Sequence, residues 1–301
     1  MEKTKGAYFH TNPINPLISV VIPALNEEGF LERTLKSLLK QDFRQFELIV
    51  VDNNSTDRTA KIAEEFGAKV VFEPKRGIGA ARQRGFLEAR GEIIATTDAD
   101  TILPKNWVSK ILKEFKKRKK TVAFGGLFVL CSGTPTSRVV ISRFAYPAWV
   151  LDRLFTGGWS IPGVNFSVRK KAFLDIGGFN TELTLGEDAD ISQRLKKIGK
   201  VVLDRKFVVL TSGRRFRNGL LPAMRTYLPN AVVRMTIRKH KFTKFSSERT
   251  EKPVIKIKKK LFPSLGLAKD KIIIVKDKVT NGIKSGGKKI RTVLRGDDDF
   301  K

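Results

Sequence analysis

Apolar positions switch repeatedly between strand and helix spacing over the first 124 residues. Leu17 to Ile22 is a short run rich in β-branched residues, closed by Pro23, and predicts a buried strand. Leu31, Leu35, Leu38 and Leu39 then recur at helical spacing. The alternation continues with a strand from Glu47 to Val51, a turn and cap at 53–57, and a helix through Ala60, Ala63 and Phe66 that stops at Gly67. A strand from Lys69 to Phe72, a loop and helix from Pro74 to Arg90 and a strand from Glu92 to Thr96 follow. The helix after Pro104 carries Trp107, Ile111, Leu112 and Phe115 on one side, and Thr121 to Phe124 predicts another strand. Such alternation points to a mostly parallel sheet with right-handed crossovers, in which ligands bind beyond the carboxyl ends of the strands. The polar clusters fall at those ends.

Residues 125–215 are less regular, with a Gly157-Gly158 break and a helix bearing Ile191, Leu195 and Ile198 that ends at Gly199. Beyond Arg217, proline, lysine and short Ile/Val runs such as Lys271 to Lys276 suggest an appended module. The expected organisation is an extension at 1–16, an α/β domain at 17–216 divided into halves at 17–124 and 125–216, and a basic module at 217–301.

Composition narrows this picture. A 301-residue chain that is 41% hydrophobic can bury one large core. The single cysteine, Cys131, allows no internal disulfide and no zinc cluster, which suits a reducing compartment. The first residues lack the apolar core of a secretion signal, and no apolar run approaches the roughly 18 residues of a spanning helix. The expected location is therefore the cytoplasm, peripherally on the inner face of the membrane. A formal charge of +29 is unevenly placed, with 25 Lys plus Arg against 7 Asp plus Glu between Arg214 and Lys301. That bias predicts an anionic partner, although a solvated charged surface produces the same composition. Val139 to Phe155 and Leu220 to Arg238 mix aromatic or aliphatic residues with arginines. Either could lie in a headgroup layer or pack as an ordinary amphipathic helix.

Candidate chemistry begins with Asp98 and Asp100 at the end of the apolar strand Ile93-Ile94-Ala95. In extended chain, positions i and i+2 point the same way, so two carboxylates can face one hard cation or one ribose. Two turn or cap aspartates before Thr101 are the plain alternative. Arg76-Gly77-Ile78-Gly79-Ala80-Ala81-Arg82 reads as a glycine-bearing approach to a helix, where amides and arginine could meet phosphate, or as a turn with surface arginines. It is not the dinucleotide fingerprint, which needs its glycines directly after the first strand.

Four elements occur in order: Val21-Ile22-Pro23-Ala24-Leu25-Asn26-Glu27-Glu28, Val50-Val51-Asp52-Asn53-Asn54-Ser55-Thr56-Asp57, Asp98-Ala99-Asp100 and Gly186-Glu187-Asp188. Together they resemble the amino-terminal half of the family 2 glycosyltransferases, inverting enzymes of the GT-A fold, over residues 17 to about 215. The resemblance implies an α/β fold of GT-A type, a Rossmann-like sheet flanked by helices. It also implies a UDP- or GDP-sugar donor, Mg²⁺ or Mn²⁺ as cofactor, and a glycan or polyprenyl-phosphate acceptor. Pro23, Ala24 and Glu27 would line the base and ribose pocket, Asp52 would accept from the nucleobase, and Arg76, Gly79 and Arg82 would border the nucleotide. Asp100 would hold the metal, and Asp98 the metal or ribose.

By the same resemblance Asp188 is the base that deprotonates an acceptor hydroxyl, while Glu187 and Asn165 belong to the acceptor side. A phosphate acceptor needs no base, and Asp188 would then only position it. The bland roles are strand termination for Pro23, capping for Glu27 and Asp52, and helix-dipole stabilisation for Glu187 and Asp188, worth about 0.3–1 kcal/mol each. Trp159 suits a sugar face or the core equally. Where many GT-A enzymes place a histidine, this chain has Ser212-Gly213-Arg214-Arg215, so Arg214 or Arg215 is the candidate phosphate contact. Two rival classes remain. A basic nucleotide- or membrane-binding adaptor would leave the carboxylate pairs idle. A sugar nucleotidyltransferase expects a glycine- and lysine-rich loop after the first strand, which this chain lacks. Nucleic acid is not an expected partner.

Overall fold

The computed structural model describes residue 13 and residues 15–183 and 185–216. The expected basic module at 217–301, the segment Leu220 to Arg238 and most of the extension at 1–16 lie outside the described residues. Eight strands form one sheet in the order β3-β2-β1-β4-β7-β6-β8-β5. They are β1 (Ile18–Ala24), β2 (Phe46–Asp52), β3 (Lys69–Phe72), β4 (Ile93–Thr96), β5 (Thr101–Ile102), β6 (Thr121–Leu130), β7 (Phe166–Arg169) and β8 (Lys200–Thr211). The α-helices are α1 (Leu31–Leu39), α2 (Thr59–Glu65), α3 (Ile78–Glu88), α4 (Trp107–Lys117), α5 (Pro135–Thr156), α6 (Lys170–Asp175) and α7 (Glu187–Lys196).

The strand period of two assigns the two faces. Ile18, Val20, Ile22, Phe46, Leu48 and Val50 join Leu31, Leu35, Leu38, Trp107 and Ile111 in one core layer. Val21, Ile49 and Val51 join Ala81, Phe86, Phe173, Ile191 and Leu195 in the other. The sheet is thus covered on both sides, the expected α/β architecture, and every residue of β1 and β2 is buried. Helix α3 approaches closely because Gly85 has no side chain. A Cβ there would lie 2.4 Å from Val21 Cγ1 and 2.7 Å from Val51 Cγ2.

Strands β3, β2, β1 and β4 are mutually parallel, so their carboxyl ends gather at one edge. The region after residue 124 is more regular than its sequence suggests. β6 continues to Leu130, β8 runs parallel to it, and β7 inserts antiparallel between β4 and β6. Register shifts in the β6–β8 pairing, one of them between Gly126 and Leu127, disturb the alternation that would have revealed these strands.

Pro23 does not close β1, contrary to expectation; the strand runs through it, pairing Pro23 with Val51 and Ala24 with Asp52. The Val21 carbonyl accepts from Thr97 on the β4 side. Two residues on, the proline nitrogen faces that same side, past the last β4 pair at Thr96, where no ladder hydrogen bond is demanded of it.

Candidate active site

The chain leaves β1 through Asn26, whose φ of 53° is left-handed, a conformation asparagine tolerates. Its Oδ1 accepts from the Thr56 amide, and Glu27 N donates to Thr59 Oγ1, so the loops after β1 and β2 are stitched together. Glu28 and Asp57 serve that stitching: Glu28 N donates to Asp57, and Arg58 N donates to Glu28. Asp52 sits at the end of β2, largely buried, with Oδ1 accepting from Ser55 N at 3.3 Å.

Asn53, which sequence reasoning passed over, organises the next loop. Its Nδ2 donates to the Glu73 and Lys75 carbonyls, and its Oδ1 accepts from Gly77 N. The only signal was its place directly after a strand end. Gly77, at φ 144°, then admits the chain into α3.

Asp98 and Asp100 lie in the turn between β4 and β5, not in extended chain, so the same-face argument for them fails. Each is held by its own arginine. Asp98 Oδ1 accepts from Arg82 Nη2 at 2.8 Å, and Asp100 Oδ2 pairs with Arg214 Nη2 at 3.1 Å while its Oδ1 accepts from Thr211. Helix α1 clasps the turn from behind. Thr34 Oγ1 donates to the Ala99 carbonyl and accepts from Thr101 N; Ser37 accepts from Leu103 N.

Arg82 is a correction to the expectation of a phosphate contact. Its side chain is 2% exposed and bridges Asp98 to Glu187, lying against Gly163, where a Cβ would stand 2.3 Å from Nη1. It positions carboxylates and does not reach outward. Gly79 is likewise buried, with the Asn180 carbonyl 3.3 Å from where its Cβ would be, so its missing side chain admits the loop before α7. Asn165 is a further correction: it is 1% exposed, accepts from Trp107 Nε1 and donates to the Leu127 and Phe207 carbonyls. Its amide belongs to the core between β6, β8 and α4. Arg76 is exposed, with Nη2 donating to the Asn54 carbonyl at 3.2 Å. Pro23 and Ala24 are buried at the strand edge beneath these loops. The Trp159 ring lies under the Arg153 guanidinium at 4.6 Å and beside Tyr146.

Gly186, at φ 81°, turns the chain into α7 and brings Glu187 and Asp188 to its first turn. Burial first, and then the adjacent Asp188 carboxylate, push the Glu187 carboxyl up to about 7 against the pull of Arg82. Asp188 accepts from Gly163 N at 3.0 Å and Ala189 N at 2.8 Å, which keeps its carboxylate oriented. Asp190 pairs with Arg194 one turn on and is structural.

Glu27 accepts both Arg214 Nη1 and Nη2, at 2.8 and 2.5 Å, and the same guanidinium lies 4.4 Å from the centre of the Phe30 ring. Arg214 thus joins the first strand end to the aspartate turn, although 187 residues separate it from Glu27. The Arg215 side chain lies outside the described residues. No group of three or more His, Cys, Asp or Glu suited to a metal occurs among the described residues. The partly exposed Asp98 and Asp100 nevertheless supply hard oxygen donors of the kind Mg²⁺ or Mn²⁺ takes together with substrate phosphates.

The strand ends, the aspartate turn and the start of α7 are the layout of a glycosyltransferase, and the profile of glycosyl transferase family 2 matches residues 19–176. The chain belongs to that family. It is 30% identical over 203 residues to the probable glycosyltransferase YdaM of Bacillus subtilis, a match covering 61% of this chain and 47% of YdaM. The chain spans about half the length of the curated relatives it matches. Among solved structures it is similar to a mannosyltransferase from Pyrobaculum calidifontis in complex with GDP-Man and Mn²⁺. That match has a TM-score of 0.56 and 21% identity, and covers 76% of this chain and 66% of the other. Glucosyl-3-phosphoglycerate synthase from Mycobacterium tuberculosis, in complex with Mn²⁺, UDP and glucosyl-3-phosphoglycerate, gives a TM-score of 0.53 at 22% identity, covering 73% of this chain and 80% of the other. These likenesses establish the GT-A fold.

Proposed function

We propose that residues 17–216 form a catalytic domain that transfers a sugar, with inversion, from a UDP- or GDP-sugar to an acceptor hydroxyl. The acceptor we favour is a lipid-linked saccharide at the cytoplasmic membrane face; with a polyprenyl phosphate the attacking atom would be a phosphate oxygen, and Asp188 would position it without removing a proton. The observation that carries this reading is the buried bridge Asp98–Arg82–Glu187, which ties Asp98 to the first turn of α7, where Asp188 follows Glu187. Solved neighbours bound to UDP or GDP-Man with Mn²⁺ support the donor class.

Asp52 and the loop at Asn26 and Glu27 would receive the nucleoside, and Arg76 is an exposed cation near them. Asp100 and Asp98 would hold Mg²⁺ or Mn²⁺ on the diphosphate, where the cation offsets charge on the leaving group. Arg214 adds a guanidinium beside the same place. With a hydroxyl acceptor, Asp188, held by two backbone amides, would accept its proton as the oxygen bonds to the anomeric carbon and the bond to the diphosphate breaks.

The test is a panel of nucleotide sugars with and without Mn²⁺, following nucleotide release. Asp188→Asn should lower transfer by about 10²–10⁴-fold with donor binding retained. Full transfer by that variant would remove Asp188 from the chemistry. Asp100→Ala should abolish metal-dependent turnover, and undiminished activity would sink the metal assignment.

A further inference from the structure

We propose that Arg214 is a resident counter-ion of the donor site, competing with a divalent cation for Asp100 until a nucleoside diphosphate draws it away. This inference rests on the reading of Asp98 and Asp100 as metal ligands. Its starting point is that Arg214 sets a permanent positive charge against Asp100. A guanidinium has no lone pair to give a metal, and its charge opposes one.

The geometry is that of a built-in cation and not of a side chain drifting at the surface. Arg214 is fixed by both oxygens of Glu27, by Asp100 at 3.1 Å and by the Phe30 ring, with 20% of its side chain exposed. Glu27 and Asp100 are themselves 4% and 10% exposed, so without Arg214 two carboxylates would share a poorly solvated place. The guanidinium keeps its charge at every working pH, so this neutralisation never lapses. A metal ion approaching Asp100 therefore meets a positive charge already in contact with that carboxylate. A diphosphate changes the balance, because its oxygens offer the guanidinium a bidentate partner as good as Glu27. Metal and nucleotide then bind with positive coupling, and by linkage each raises the other's affinity by the same factor.

Asp98 is not subject to the same competition in the same way. Its arginine, Arg82, is buried and shared with Glu187, so it cannot leave for a ligand. Of the two arginines beside the aspartates, Arg214 is thus the exchangeable one.

The experiment is Mn²⁺ titration, by calorimetry and electron paramagnetic resonance, of the full-length wild type, Arg214→Gln and Arg214→Lys. Each is measured alone and with UDP or GDP. Removing the charge should tighten binding of Mn²⁺ alone about tenfold, the scale on which one charge within a few ångströms shifts a proton affinity. The lysine variant, which keeps the charge, should stay near wild type, and the gain in Arg214→Gln should shrink once nucleotide is present. Arg214→Met replaces the glutamine variant should that one fail to fold. Equal Mn²⁺ affinity in wild type and the uncharged variant overturns the competition and leaves the metal reading standing. Absence of Mn²⁺ binding in every protein, even with nucleotide, overturns both.

Discussion

Two arginine–carboxylate systems face the proposed donor site, one buried around Arg82 and one half-buried around Arg214, and they respond differently to substitution. Arg82 is enclosed, so Arg82→Ala leaves Glu187 and Asp98 without their cation in a place water barely reaches. Breaking a buried pair from one side typically costs about 3–5 kcal/mol, and urea unfolding should show a loss of that size. A loss within the range of surface substitutions would mean that Glu187 is stabilised otherwise. Glu187 itself makes stability depend on pH. In the folded chain burial lifts its carboxyl from 4.5 to about 7, so between those values the folded state holds a proton that the unfolded state has released. Its contribution is fully present below about 4.5 and is lost as pH rises through 7. Melting temperature should fall from pH 5 to pH 8, and Glu187→Gln should flatten that slope. A slope unchanged in the variant assigns the dependence to other groups. Cys131 is pushed the other way from reactivity: burial, and then Asp100, raise its thiol to about 11. It should resist alkylation at pH 8 in the folded chain and react on unfolding.

At the scale of elements, α1 shows how a helix can serve a site without reaching it. Its leucines fill the core, while Thr34 and Ser37 hold the backbone of the aspartate turn. Thr34→Val leaves the Ala99 carbonyl and the Thr101 amide without that partner inside the protein. The expected cost is about 1–3 kcal/mol in stability, with weaker nucleotide-dependent metal binding as a second readout. Wild-type values on both would remove Thr34 from the support of the turn. The contrast between α1 and the second half of the sheet explains what was legible beforehand. Leu31, Leu35 and Leu38 repeat at helical spacing, and β1 to β4 are short, mostly apolar runs rich in Ile and Val, so local pattern and tertiary placement agree. β8 escapes because Asp204-Arg205-Lys206 interrupts it at an irregularity, and the continuation of β6 beyond Phe124 because Gly125 and Gly126 carry no pattern at all. The site divides along the same line. Asp52, Asp98, Asp100 and Asp188 announce themselves at strand and helix ends. Arg82 and Asn165 looked like surface or pocket residues because burial of a polar group depends on partners far along the chain, such as Glu187 and Phe207. Asn53 and Thr34 give no chemical signal, because their work is done on backbone amides and carbonyls.

At the scale of the whole molecule, positive charge is unevenly placed along the sequence. The described residues, which contain the sheet and the proposed site, hold no helix long and apolar enough to cross a membrane. On the described part of α5, Val139, Leu151 and Leu154 are exposed, and Arg153 stands among them. The excess of Lys and Arg from Arg214 onward follows in the same chain. Together they suggest attraction to an anionic surface assisted by a modest apolar contact. The electrostatic part has a definite signature. Each basic residue near an anionic bilayer contributes about 1 kcal/mol, and the attraction decays within a Debye length, about 10 Å at 0.1 M salt and about 3 Å at 1 M. The full chain should therefore sediment with phosphatidylglycerol vesicles at low salt, release steeply as salt rises, and ignore phosphatidylcholine vesicles. Leu151→Ser with Leu154→Ser should lower the salt-resistant fraction and leave the low-salt attraction intact, since exposed leucines add area but no charge. Equal binding to neutral and anionic vesicles would contradict an electrostatic role for the basic third. Loss of all binding in the leucine variant would shift the weight of membrane contact to α5.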